Sequence, residues 1–232
     1  MEKVKKIVSD ILAKQKINTV YYVGCGGSLS GFFPAKYFLS AEATKLKVGY
    51  INANEFVHAT PKEIGKDTIV IAASQRGNTA ETVKAVEVAN ELGAATIGLT
   101  FEVPSPLAEI AQYVIHYEFG PESIVENQKV SYGFKLALEI LNRVEGYDKY
   151  NEMITALAKL NDIVAKAKID VVPEAIKWAW EFKDDSVIYT MGSGSCWGPA
   201  HQEAICIFME MQWINASVIH SGEFFHGPFE IT

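Results

Sequence analysis

Cysteine is scarce in this chain of 232 residues: Cys25, Cys196 and Cys206 are the whole supply, odd in number and without C-x-x-C spacing. That pattern excludes a disulfide framework and a structural zinc site, and all three thiols are expected to be reduced and structural. No apolar run approaches the roughly 20 residues of a membrane span. The start Met1-Glu2-Lys3-Val4-Lys5-Lys6 lacks the hydrophobic segment of a signal peptide, so a cytoplasmic location is expected. Lys and Arg form nothing beyond short pairs, and the net charge is -7, which argues against a nucleic-acid or acidic-membrane partner. An anion site must therefore be local. Low-complexity segments and the Walker A spacing are also missing, and the G-x-G-x-x-G fingerprint fails because Gly24 and Gly26 are followed by Leu29 at its sixth position. His58, His116, His201 and His220 show no ligand-like spacing, so neither a metal nor an organic cofactor is expected.

What is present is a large apolar fraction, 49% of the residues, enough for one large domain or two ordinary ones. The chain is organised around 67–92. Thr68 to Ala73 is apolar on both faces and reads as a strand inside a parallel sheet. It runs into Ser74-Gln75-Arg76-Gly77-Asn78-Thr79, then into a helix near Ala80 with Asn78 as its cap, Ala85, Val86, Ala89 and Leu92 on one face, and Gly93 at its end. The turn brings two hydroxyls, a carboxamide and a guanidinium to the positive end of a helix, which suits a phosphate. The competing reading is an ordinary capped turn, but a cap needs only one such residue.

Before this stretch, Val4, Ile7, Val8, Ile11 and Leu12 recur at helical spacing over 2–15. Thr19 to Val23 reads as a strand, Gly24-Cys25-Gly26-Gly27-Ser28 as a Gly-rich turn, and 32–39 as a helix with Ser28 at its start. Further strands are expected at 47–52, 95–101 and 113–119, so the fold class is α/β with a doubly wound parallel sheet. In open sheets of this kind ligands sit beyond the carboxyl ends of the strands, which places the Ser28 and Ser74 turns at one site. After Gly120-Pro121 three long helices are expected, at 127–145, 147–168 and 173–182, with Tyr132, Phe134, Trp178 and Trp180 packing them. Val187 to Ser195 then echoes Val20 to Ser28, which suggests that strand and turn are used twice. The domains read as 1–146, a first α/β unit, and 147–232, linking helices with the start of a second unit. That second unit stops short, and the natural protein is expected to extend by roughly a hundred residues.

Two residues carry candidate proton chemistry. Glu210 lies in Ile205-Cys206-Ile207-Phe208-Met209-Glu210-Met211, where apolar neighbours suggest partial burial and a carboxylate tuned toward general-base work. The alternative places it on the wet side of an amphipathic helix. His226 is held by Gly and Pro in Gly222-Glu223-Phe224-Phe225-His226-Gly227-Pro228 and is the best acid/base candidate among the five histidines.

Together, the Gly24 to Ser28 turn, the Ser74 to Thr79 turn, Ser105-Pro106-Leu107-Ala108 and the Gly222 to Pro228 turn resemble the sugar isomerase (SIS) family. Within it the chain is most similar to the deglycases of amino-acid fructoside 6-phosphates and is also similar to the isomerase half of glutamine:fructose-6-phosphate amidotransferase. The resemblance implies a three-layer α/β/α fold, a phosphorylated sugar or Amadori-type substrate held by Ser28, Ser74, Gln75 and Thr79, Glu210 as general base and His226 as acid/base. It further implies a homodimer in which the His turn enters the neighbouring subunit's site. Arg76 departs from the Ser common at its position, and either strengthens phosphate binding or addresses a carboxylate on the substrate. The implied reaction is hydrolytic deglycation, the alternatives being aldose-ketose isomerisation, amino-sugar phosphate deamination and a non-catalytic sugar-phosphate sensor.

Overall fold

The computed structural model describes residues 1–231, and these divide into two compact units. The first comprises Met1–Ser123 and Asn127–Asp148; the second comprises Ile124–Glu126 and Lys149–Thr232.

The first unit is built on five parallel strands in the order β2-β1-β3-β4-β5, namely β1 (Thr19–Gly24), β2 (Lys47–Asn52), β3 (Thr68–Ala73), β4 (Ala95–Thr100) and β5 (Tyr113–His116). Every residue of β1, β3 and β4 is buried, as continuous apolar runs require, whereas β2 at the edge is only partly covered. The connecting helices are α1 (Glu2–Leu12), α2 (Gly26–Ser30), α3 (Phe33–Glu42), α4 (Ala53–His58), α5 (Ala80–Glu91), α6 (Pro106–Ile110) and α7 (Lys129–Val144). Alternation along the strands sends side chains to opposite faces. Tyr21, Val23, Val70 and Ala72 pack with Phe56, Ala85, Val86, Ala89 and Leu107 from α4, α5 and α6. Tyr22 points the other way and meets Phe32, their rings 5.2 Å apart, while α3 and α7 join through Phe38 and Phe134 at 4.9 Å. The result is the expected doubly wound, three-layer α/β/α fold.

Two expectations need correction here. The fifth strand ends at His116 rather than Phe119, because Tyr117 N–H makes the last bond to β4, at Thr100 O, and Glu118 N–H turns to Asn127 O. Leu92 is exposed instead of sharing the buried face of α5 with Ala85, Val86 and Ala89. Gly93 does end that helix, in the left-handed conformation at φ +84°.

In the second unit, α8 (Tyr150–Leu157) is followed by α9 (Leu160–Phe182), a continuous helix of 23 residues that carries Pro173 in its interior. The expected break before Pro173 does not occur: the ring removes one N–H from the ladder, and the remaining turns carry the helix through. Trp178 stacks near Phe182 and Phe208, yet both it and Trp180 are exposed. Strands β6 (Ile188–Gly192) and β7 (Ala216–His220) pair in parallel, with α10 (Trp197–Gln202) and a π-helix over Glu203–Met211 between them. The echo of the first unit is present but shifted by one residue from the sequence alignment. Gly192 ends β6 as Gly24 ends β1, and Gly194 at φ +55° matches Gly26 at φ +49°.

Candidate functional site: two turns at the strand-order switch

Strand order 2-1-3-4-5 reverses direction between β1 and β3, and the crevice beyond such a reversal is where open α/β sheets bind ligands. Gly24 and Ala73 are register partners at the ends of these two strands, so the turn carrying Ser28 and the turn carrying Ser74 leave the sheet side by side.

The Ser74 turn is fixed from beneath. Ser74 N–H continues the ladder to Leu99 O at 3.2 Å, and Gly77 N–H closes the turn on Ser74 O at 3.1 Å. Gln75 O accepts from the N–H groups of Phe101 and Glu102 and from the Thr100 hydroxyl, while Gly77 O accepts from Leu107 N–H at 2.8 Å. Glycine is required at position 77 twice over: its φ is +65°, and a side chain there would come within 2.1 Å of Ser105 Oγ. Thus β4 and α6 occupy the turn's carbonyls.

The other side of the turn is uncommitted. Thr79, not Asn78, is the N-cap residue of α5, and no side chain caps that helix. The Thr79 hydroxyl instead lies 2.9 Å from Ser74 Oγ, and Ser74 is almost fully buried. Helix geometry leaves the N–H groups of Ala80, Glu81 and Thr82 without intrahelical acceptors. Two hydroxyls and a positive helix end therefore lie together, the arrangement a phosphate dianion uses.

Ser28 is half-buried in α2, its N–H bonded to Cys25 O at 3.0 Å, rather than at the start of α3, which begins five residues later at Phe33. Gln75 is half-buried, and its backbone carbonyl is held by Thr100, Phe101 and Glu102. Arg76 is exposed and faces Glu102, Nε to Oε1 3.9 Å, a partner 26 positions away that no local pattern picks out. The sequence showed Ser105 only as part of a family motif, without its contact, and did not single out Lys129. Ser105 supports Gly77 from below, and Lys129 reaches the Ser28 turn from α7, with its ammonium 2.6 Å from Gly27 O. Neither contact has a local signature, since each joins residues far apart in the chain.

Glu210 and His226 belong to the second unit. Glu210 lies in the π-helix and is exposed, not partly buried, because the buried side of this helix is taken by Ala204 and Cys206. A π-helical turn is uncommon and occurs often at functional sites. His226 is exposed in a tight turn, its N–H bonded to Glu223 O at 2.9 Å and followed by Gly227 at φ +126° and Pro228. Among the described residues no helix is long and apolar enough to cross a membrane.

Fold and turns together define an α/β protein with two hydroxyls and a positive helix end at its sheet's switch point. The chain belongs to the SIS domain family, whose pattern matches residues 11–141. It is 39% identical to the fructosamine deglycase FrlB of Bacillus subtilis (strain 168) over 98% of this chain and 69% of that protein. It is 31% identical to the fructoselysine 6-phosphate deglycase of Escherichia coli (strain K12) over 95% of this chain and 64% of that protein. The chain thus spans about two thirds of the length of these relatives. A crystal structure of a presumed phosphosugar isomerase from Salmonella typhimurium LT2 superimposes with a TM-score of 0.98 at 56% identity, covering 100% of this chain and 70% of that one.

Proposed function

We propose that this protein is a deglycase that hydrolyses a fructosamine 6-phosphate to glucose 6-phosphate and a free amine. The observation that carries the reading is the Ser74 and Thr79 hydroxyl pair at the uncapped start of α5, in a chain whose relatives include a fructosamine deglycase and a fructoselysine 6-phosphate deglycase. Ser28, Ser74, Gln75 and Thr79 hold the phosphate. Arg76 is free to exchange the exposed Glu102 carboxylate for an anionic group of the ligand, at small cost because exposed ion pairs contribute little.

Glu210 removes a proton from C1 of the open-chain ketoamine, giving an enaminol. Reprotonation at C2 with loss of the N–H proton gives the C1 imine. Water adds to that imine, and the amine leaves with the sugar restored as an aldehyde. His226 is the acid/base partner in these transfers. The SIS-type unit at 1–146 binds the phosphate, and 147–232 supplies the proton-transfer residues from the start of a second unit of the same type. The working form is a cytoplasmic homodimer in which His226 serves the neighbouring subunit's site.

The test is mass analysis of products from a panel of phosphorylated Amadori compounds. Glucose 6-phosphate and free amine in equal amounts are expected. Conversion of glucose 6-phosphate to a ketose phosphate with no amine released from any panel compound would assign an isomerase, and tight binding without turnover of any compound would assign a sensor.

A further inference from the structure

The cradle's hydroxyl and carboxamide side chains carry no charge, and its exposed cation, Arg76, faces Glu102. A second cation arrives from a different layer. Lys129, the first residue of α7 and half-buried, sends its ammonium to Gly27 O at 2.6 Å, one residue before Ser28. Its route is cleared by an absent side chain: a Cβ at Gly31 would lie 2.8 Å from Lys129 Cε and 3.3 Å from its Nζ. One helical turn further along α7, Gly133 makes the matching concession, since a Cβ there would lie 2.8 Å from the Phe32 ring. Gly31, which caps α2, and Gly133 in α7 thus let α7 seat closely on the segment that follows β1, and the contact ends in a charge-assisted hydrogen bond to the Gly-rich turn.

We infer that Lys129 is a positioning residue for the Ser28 half of the phosphate cradle. Its ammonium ties the Gly26-Gly27 turn to α7, fixes where Ser28 is presented, and places a positive charge beside a site whose ligand is a dianion. The inference rests on the phosphosugar reading above and extends it to a residue that need not touch the ligand. A methionine at 129 keeps the stem and removes both the bond and the charge. An alanine at Gly31 displaces the stem and leaves the charge in the molecule.

The experiment measures calorimetric affinity for glucose 6-phosphate and inorganic phosphate at two salt concentrations, for Lys129→Met, Gly31→Ala and a Ser74→Ala/Thr79→Val control. Lys129→Met is expected to weaken both ligands at least tenfold, to flatten the salt dependence, and to raise KM for a ketoamine phosphate more than it lowers kcat. Gly31→Ala is expected to weaken binding by a smaller factor, with the unliganded melting temperatures of both variants close to that of the parent. A folded Lys129→Met protein with parental affinity would overturn the inference. If that variant does not fold, parental affinity in Gly31→Ala overturns it instead. Parental affinity in the Ser74→Ala/Thr79→Val control would remove the phosphate site itself, whereas loss there with none in the other two variants would remove only the role of Lys129.

Discussion

Ser74 and Thr79 are each other's hydrogen-bond partners, Oγ to Oγ1 2.9 Å, across the turn that ends β3 and begins α5. Because the two hydroxyls satisfy one another, removing one strands the other in a mostly buried site, whereas removing both with shape conserved is nearly neutral for folding. Ser74→Ala combined with Thr79→Val should therefore melt close to the parent yet lose phosphate. With each charge-assisted bond contributing about 1.5 to 3 kcal/mol, affinity for glucose 6-phosphate should fall at least about a hundredfold. Calorimetry giving the parental value would end the assignment.

Tyr22 is fully buried against Phe32, and its hydroxyl has no hydrogen-bond partner among the described residues. Burial pushes its phenol well above the ordinary tyrosine range. An unpaired hydroxyl in such a place costs about 1 to 3 kcal/mol relative to an apolar group of the same shape. Tyr22→Phe should raise the urea midpoint without changing the slope of unfolding, a gain of about 1 kcal/mol. A lowered midpoint would show that the hydroxyl has a partner.

The sheet was readable from the sequence because each inner strand is apolar on both faces, as with Thr68 to Ala73, and is bounded by turn residues. The switch-point position of Ser28 and Ser74 followed from the same alternation of strands and helices. Two kinds of information were not local. Asn78 has the better capping propensity, but tertiary geometry turned the hydroxyl of Thr79 toward Ser74 and left Asn78 outside. Burial of Glu210 was inferred from neighbours along the chain, and a π-helix changes which of those neighbours share a face. The Lys129 contact spans 102 positions and depends on the crossing of two helices, which no window of sequence contains.

Glu145, the residue that ends α7, ties that helix to the segment before β2. Its two oxygens accept from the Thr44 hydroxyl at 2.6 Å and from the N–H groups of Thr44, Lys45 and Leu46 at 2.8, 2.9 and 2.6 Å. Burial raises this carboxyl's pKa, but the hydrogen bonds from Thr44, Leu46 and Lys45 together outweigh it and hold the group at about 2, below the ordinary 4.5. With the folded value depressed, the stabilisation is fully present above about pH 4.5 and is lost as the pH falls toward 2. Glu145→Gln turns an NH2 group toward N–H donors and should cost about 2 kcal/mol at pH 7. Urea titrations should show the gap between parent and variant shrinking below pH 4.5; a gap that stayed constant down to pH 2 would contradict the assignment.

Deglycation stands or falls on Glu210 and His226. Glu210→Gln keeps the volume of the side chain and removes the base, so turnover should drop by roughly two to four orders of magnitude while substrate affinity changes little. His226→Asn should also reduce turnover. Both residues are exposed in the second unit, so neither substitution leaves a buried group unpaired, and the unliganded proteins should melt near the parent. If His226 serves the neighbouring subunit's site, mixing the two inactive variants should restore part of the activity, because some mixed dimers would contain one intact pair. Without such recovery, once subunit exchange is verified by mass, the shared site is rejected and the roles of the two residues are not. A Glu210→Gln protein with full turnover rejects Glu210 as the base. One that binds glucose 6-phosphate normally and turns nothing over isolates the proton step from the phosphate cradle.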